Sequence, residues 1–139
     1  MSEQLVRDAM VPEPLALDAA ATAQEAGEAL ARDEVRAVLV CQDGLFAGVI
    51  TRKTLVREVV AAGRDPAATR LGEIMERPNA TLDSGMSLEA AFAFLEAHDL
   101  ERVPVVEDGR LVGVLSRAVV QRRLAEDEPP SDAGALAEA

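Results

Sequence analysis

The apolar positions of this chain fall into two alternating rhythms. From Thr22 to about Arg32, Ala23, Ala26 and Leu30 recur at helical spacing. Thr22-Ala23-Gln24-Glu25 opens that stretch as a capping box, a hydroxyl with a glutamate three residues on. The run Ala37-Val38-Leu39-Val40-Cys41 then predicts a strand buried on both faces, with helices covering it. Asp43-Gly44 marks a tight hairpin, and Phe46–Ile50 supplies its second strand. Thr51 opens a further helix bearing Leu55, Val56, Val59 and Val60. Apolar positions on more than one face of that helix predict contacts beyond its own sheet, as in a homodimer.

The same series returns. Residues 10–55 align without a gap on residues 75–120: Met10 with Met75, Leu17-Asp18 with Leu82-Asp83, and Val38 and Val40 with Val103 and Val105. Asp43-Gly44 matches Asp108-Gly109, Gly48-Val49 matches Gly113-Val114, and Arg52 matches Arg117. In the second copy Ser87 caps a helix carrying Leu88, Ala91, Phe92 and Leu95, and Ser116 caps one carrying Val119, Val120 and Leu124. An extended piece precedes each unit, around Leu15–Leu17 and Ala80–Leu82. Before it comes a short lead-in helix ending in methionine, Val6–Met10 and Leu71–Met75. A unit of about 60 residues is marginal alone, so the two copies are expected to fold as one intertwined α/β (α+β) module. The expected divisions are 1–65 for the first repeat with its lead-in helix, 66–125 for the second, and 126–139 for a solvated acidic tail.

Composition narrows the partners. The formal net charge of -11 argues against nucleic acid or an anionic membrane, both of which call for basic surface. No apolar run approaches the length of a membrane span, and the N-terminal residues do not read as a signal peptide. The single Cys41 reads as a small core residue of a protein in a reducing, cytoplasmic setting. With no Trp or Tyr, a ligand base must stack on aliphatic side chains, on backbone, or on Phe46, Phe92 or Phe94. His98 is the only histidine and reads as a surface or structural residue. Phe92 follows the core stripe, and Phe94, two residues on, points elsewhere, toward a dimer partner. Pro104 inside a strand implies an edge, a bulge or a cleft lining. No paired carboxylates, nucleophile–base set or metal-ligand spacing is visible, so the chain reads as non-catalytic, with no required cofactor and no metal site.

One feature of both copies points to an anion. Thr51 and Ser116 stand at helix N-caps, and Arg52 and Arg117 follow at once. A cation there opposes the helix dipole by about 0.3–1 kcal/mol, and a bound anion would offset that. The competing reading pairs each arginine with a carboxylate of the other repeat and leaves the hydroxyls as plain caps.

Taken together, Arg102-Val103-Pro104-Val105-Val106, Asp108-Gly109 and Gly113-Val114-Leu115-Ser116, with Val38-Leu39-Val40, Asp43-Gly44 and Gly48-Val49-Ile50-Thr51, resemble the tandem cystathionine-β-synthase-type (CBS) domain pair, or Bateman module, over about residues 5–125. The resemblance implies two β-α-β-β-α repeats packed as a pseudo-twofold, stand-alone module that pairs into homodimers. It implies two clefts between the repeats that take an adenosine-containing ligand (AMP, ADP, ATP, NAD or S-adenosylmethionine). It also implies a regulatory role exerted on a separate partner protein. Thr51, Arg52, Ser116 and Arg117 are then expected on the phosphate side, and Thr54, Thr81, Val38, Val103 and Pro104 on the ribose and base side. The family pattern has an aspartate for the ribose hydroxyls where this chain has Thr54 and Val119. Loss of such a charge-assisted bond weakens binding by roughly 10- to 150-fold. Thr54 can still accept one bond and Val119 none, so the cleft near Thr51 is expected to be the better site. The alternative is a structural or interaction module that keeps the fold and has lost its ligand.

Overall fold

A computed structural model describes residues 4–12 and 14–127; the remainder of the acidic tail, from residue 128, lies outside the described residues. The elements run α1 (Val6–Ala9), β1 (Val11–Pro12), β2 (Ala16–Asp18), α2 (Ala23–Leu30), β3 (Val38–Gln42), β4 (Leu45–Ile50) and α3 (Arg52–Leu55). α3 continues as a π-helical turn, Val56–Val60, and a 3-10 turn, Pro66–Ala68, follows. The second half holds α4 (Leu71–Ile74), β5 (Leu82–Asp83), α5 (Leu88–Ala97), β6 (Arg102–Glu107), β7 (Arg110–Ser116) and α6 (Arg117–Asp127).

Each repeat builds one small sheet in the same way. β2 lies parallel to β3 and β3 antiparallel to β4, while β5, β6 and β7 repeat that arrangement. Even the ladder irregularity recurs, between Val40 and Cys41 and between Val105 and Val106. Both hairpins turn on residues with positive φ, Asp43 (54°) and Gly44 (80°), and Asp108 (52°) and Gly109 (80°). Two consecutive left-handed residues make a type I′ turn, which matches strand twist and favours Asp-Gly.

The helices cover one face of each sheet. Val38, Val40 and Ile50 pack with Ala23, Ala26, Leu30 and Val59 in one core; Val103, Val105 and Leu115 pack with Leu88, Ala91, Leu95 and Val120 in the other. The expectation of helices on both faces is corrected here. Leu39, between Val38 and Val40, alternates to the opposite face, which looks across at the other repeat. An apolar run cannot distinguish burial under a helix from burial against a second copy of itself.

The lead-in helices exchange places. Val6 and Ala9 of α1 are buried in the core of the second repeat, and Leu71 and Ile74 of α4 in that of the first. β1 pairs with β7, Val11 opposite Val114, and Glu76 exchanges backbone hydrogen bonds with Val49 of β4 at 2.8 and 3.0 Å. Each helix ends in the methionine of the repeat, and each methionine crosses a glycine of the opposite sheet. A Cβ on Gly48 would meet the Met75 Sδ at 2.7 Å, and one on Gly113 the Met10 Sδ at 2.6 Å. The Met and Gly positions conserved between the two copies are therefore two halves of one contact.

Candidate functional site

The helix N-termini proposed from the sequence are capped from within. Thr51 Oγ1 accepts from the Thr54 backbone N–H, and Thr54 Oγ1 accepts from the Thr51 N–H, both at 3.2 Å. The two hydroxyls lie 3.0 Å apart, and Thr54 is fully buried. That burial corrects the expectation that Thr54 presents an acceptor to a ribose, because its hydroxyl is spent on the cap and its side chain has no open face. Ser116 Oγ accepts from the Val119 N–H at 3.1 Å.

The two arginines at these caps are also engaged. Arg52 donates to the Arg32 carbonyl at 2.9 Å. Arg117, mostly buried, lies 3.4 Å from Asp99 and 3.6 Å from Glu101. These partners come from each arginine's own repeat, so the expected pairing across repeats is not what forms. Thr81 is exposed just ahead of β5, and Val38 is fully buried in the first core.

The cleft itself sits between the two sheets, with a volume of about 380 Å³. Its lining is paired by the repeat: Leu15 with Ala80, Val35 with Leu100, Leu39 with Pro104, and Val49 with Val114. One cavity thus straddles the pseudo-twofold. Of the nine residues expected at the site, Val103 and Pro104 line it, and the other seven do not. Pro104 stands in the central strand β6, one residue before the irregularity at Val105, and β5 pairs only from Val105 onward.

Sequence reasoning missed the polar residues of this cleft. Arg32, Arg36 and Arg102 line it against one carboxylate, Glu34, in a chain whose net charge is -11. Glu34 is 3.5 Å from Arg32, whereas Arg36 and Arg102 make no ion pair among the described residues. The available signal was position: Arg36 and Arg102 stand where the buried strands begin, at the mouth of the inter-repeat face.

The remaining candidates fall away from the cleft. Phe92 and Phe94 are both half-buried against the second core, and the Phe94 ring lies 4.3 Å from that of the exposed His98. Cys41 is half-buried, and desolvation, with Asp18 adding to it, raises its thiol pKa. Among the described residues no cluster of His, Cys, Asp and Glu could hold a metal, and no helix is long and apolar enough to cross a membrane.

The CBS domain model matches this chain twice, over residues 6–61 and 71–126. The chain belongs to the CBS domain family. As a CBS pair it is similar to the CBS domain-containing protein YhcV of Bacillus subtilis (strain 168), 29% identical over 111 residues covering 80% of this chain and 79% of the relative. It is likewise 29% identical to Hypoxic response protein 1 of Mycobacterium tuberculosis over 106 residues, 76% of this chain and 74% of the relative. The crystal structure of Hypoxic Response Protein I with two coordinated zinc ions superposes with a TM-score of 0.71 at 26% identity, covering 91% of this chain and all of that one. CBSX2 in complex with AMP superposes at 0.69 and 23% identity, covering 88% of this chain and 97% of that one, and shares the fold.

Proposed function

We propose that this CBS pair is a non-catalytic regulatory module that takes an adenosine-containing nucleotide, or another anionic metabolite with an apolar body, in the cleft between its repeats. The observation that carries this reading is the construction of the cleft: one cavity of about 380 Å³ walled by equivalent residues of both repeats. A ligand there touches both halves at once, so its differential affinity for the closed and open arrangements would shift the angle between them. A separate partner protein would read that change. The AMP complex of CBSX2 supports a nucleotide as the ligand type. The aliphatic walls Leu15, Val35, Leu39 and Val103 offer a base flat apolar contact in the absence of any lining aromatic ring.

Homodimerisation belongs to the same proposal. Val56 and Val60, one helical turn apart, are 58% and 72% exposed, while the equivalent positions of the second repeat are Gln121 and Ala125. A second copy covering that stripe would give the module a surface through which a change in repeat angle is transmitted.

Thermal unfolding with AMP, ADP, ATP, NAD and S-adenosylmethionine tests the nucleotide reading. Ligand at a hundred times its dissociation constant stabilises by about 2.7 kcal/mol, which raises the midpoint by several degrees at this size. No shift with any of the five at millimolar concentration removes nucleotide sensing. The second reading, a structural module without ligand, is favoured by one observation: Thr54 is buried and Val119 offers no acceptor where the family pattern supplies an aspartate.

A further inference from the structure

The two sulfur atoms that join the repeats are set in the same way. Met10, just after α1, crosses Gly113 of β7, and Met75, just after α4, crosses Gly48 of β4. A Cβ on Gly113 would lie 2.6 Å from the Met10 Sδ, and one on Gly48 2.7 Å from the Met75 Sδ, so each thioether rests against bare backbone. The polar atom beside each crossing is a carbonyl oxygen, that of Val11 at Gly113 and that of Glu76 at Gly48. A carbonyl oxygen accepts hydrogen bonds and cannot donate one. A thioether needs no donor and suits this place; a sulfoxide oxygen needs one and does not. Both methionines are half-buried, so neither is sealed from a small oxidant in solvent. Cys41 is a weak competitor for such an oxidant, because desolvation, with Asp18 adding to it, raises its thiol pKa and disfavours the reactive thiolate. Met86 is also half-buried, but it packs against the core of its own repeat.

We propose that Met10 and Met75 form a paired modification site, oxidised to methionine sulfoxide by a peroxide, and that each sulfoxide releases its lead-in helix from the opposite sheet. With hydrogen peroxide the thioether sulfur attacks one oxygen, the S–O bond forms as the O–O bond breaks, and the proton of the transferred oxygen passes to the departing hydroxide, which leaves as water. The sulfur gives up two electrons and the peroxide takes them. A methionine sulfoxide reductase reverses the step with a dithiol as reductant. On the glycine face the new oxygen would stand against a carbonyl oxygen with no donor in reach, so the side chain turns to water and vacates the crossing. The helices feel that loss because α1 and α4 are four residues each, too short to persist without tertiary packing. β1 follows directly on Met10, and the Glu76–Val49 backbone pair directly on Met75, so release frays those bonds as well. The site is independent of any ligand in the cleft.

Treatment of the full chain with millimolar hydrogen peroxide tests this in the wild type, Met10→Leu, Met75→Leu and the double variant, read by peptide mass mapping, thermal unfolding and amide hydrogen exchange. Leucine keeps the apolar volume and does not oxidise, and circular dichroism checks that the variants fold. Expected is one added oxygen on each of Met10 and Met75, and a thermal midpoint about 5–10 °C lower in the oxidised wild type. Each single variant should show about half of that fall, and the double variant none. The Val49 and Glu76 amides should exchange at least about 10-fold faster after oxidation, while β3 and β6 stay protected. Sulfoxide reductases for both epimers, with dithiothreitol, should restore the midpoint. Oxidation confined to Met1, Met86 or Cys41 overturns the proposal. So does an oxidised wild type that melts where the reduced protein does, or a double variant that loses as much as the wild type. Should the double variant not fold, the halved fall in each single variant decides the same question.

Discussion

The contact most exposed to refutation is the crossing of Met75 over Gly48. A Cβ placed on Gly48 would lie 2.7 Å from the Met75 Sδ, 2.8 Å from its Cγ and 2.9 Å from the Glu76 carbonyl oxygen. The thioether can swing aside. The carbonyl cannot move freely, because it accepts from the Val49 N–H at 2.8 Å while the Glu76 N–H donates back to Val49 at 3.0 Å. Overpacking of this kind costs about 1–3 kcal/mol. Against it stands a gain of about 0.4–1 kcal/mol from restricting the unfolded chain. The net expectation for Gly48→Ala is a loss of about 1–2 kcal/mol, read as a fall of about 3–7 °C in the thermal midpoint at this chain length. Met75→Ala alone removes a half-buried side chain and should cost about 1–2 kcal/mol. In the double variant the clash with sulfur disappears, so the two losses should fall short of additivity by at least about 0.5 kcal/mol. Thermal and urea unfolding at one fixed protein concentration measures all three. A Gly48→Ala protein as stable as wild type, or losses that simply add, would show that the methionine does not lie on the glycine.

Further expectations concern single positions. Thr54→Val keeps the buried volume and removes the two hydrogen bonds of the Thr54 hydroxyl, one from the Thr51 N–H and one with the Thr51 hydroxyl, while the Thr54 N–H still caps on Thr51 Oγ1, so it should destabilise by about 1–2 kcal/mol in denaturant unfolding; no loss would mean that the Thr54 hydroxyl is not spent on the cap. Val56→Glu and Val60→Glu should leave monomer stability within about 0.5 kcal/mol and halve the mass seen by light scattering at micromolar concentration, whereas a wild type that is already monomeric refutes the dimer face. The Glu73 carboxyl is held below its ordinary value, first by the Arg70 backbone N–H it accepts from and then by Arg64. Its contribution is therefore present above the unfolded glutamate pKa of about 4.3 and is lost as pH falls through the lower folded value. Wild type should exceed Glu73→Gln in thermal midpoint at pH 7, and the two should converge below pH 4; a gap that persists in acid would contradict this.

The fold was legible because each of its signals is local and occurs twice. Asp43-Gly44 and Asp108-Gly109 specify type I′ turns by backbone sterics alone, and Thr22, Thr51, Ser87 and Ser116 each cap the helix expected of them. What the sequence could not reveal was which surfaces face each other across the repeats. Leu39 and Val40 are neighbours in one apolar run, yet Val40 points into a helical core and Leu39 into the cleft. Thr51 and Thr54 carried the pattern of a ligand site, but two hydroxyls at cap spacing satisfy each other as readily as they satisfy a phosphate. Arg36 carried no pattern, since its counterpart is Glu101, and Arg102 opened the Arg-Val-Pro-Val-Val motif but has Ala37 as its counterpart, so the repeat marked neither as a cleft residue.

That asymmetry bears on how such a module can act. The symmetric positions, Met10 and Met75, Gly48 and Gly113, and the paired aliphatic walls, hold two repeats in one arrangement and shape one cavity on their axis. A cavity lined symmetrically would accept a ligand in two equivalent orientations. Arg36 and Arg102 align with Glu101 and Ala37, so the charges along the lining do not repeat and the two ends of the cavity are not equivalent. The exposed Val56–Val60 pair likewise has Gln121 and Ala125 as its counterparts, so the outer helical surface of the module departs from the twofold just as the charges of the cavity do.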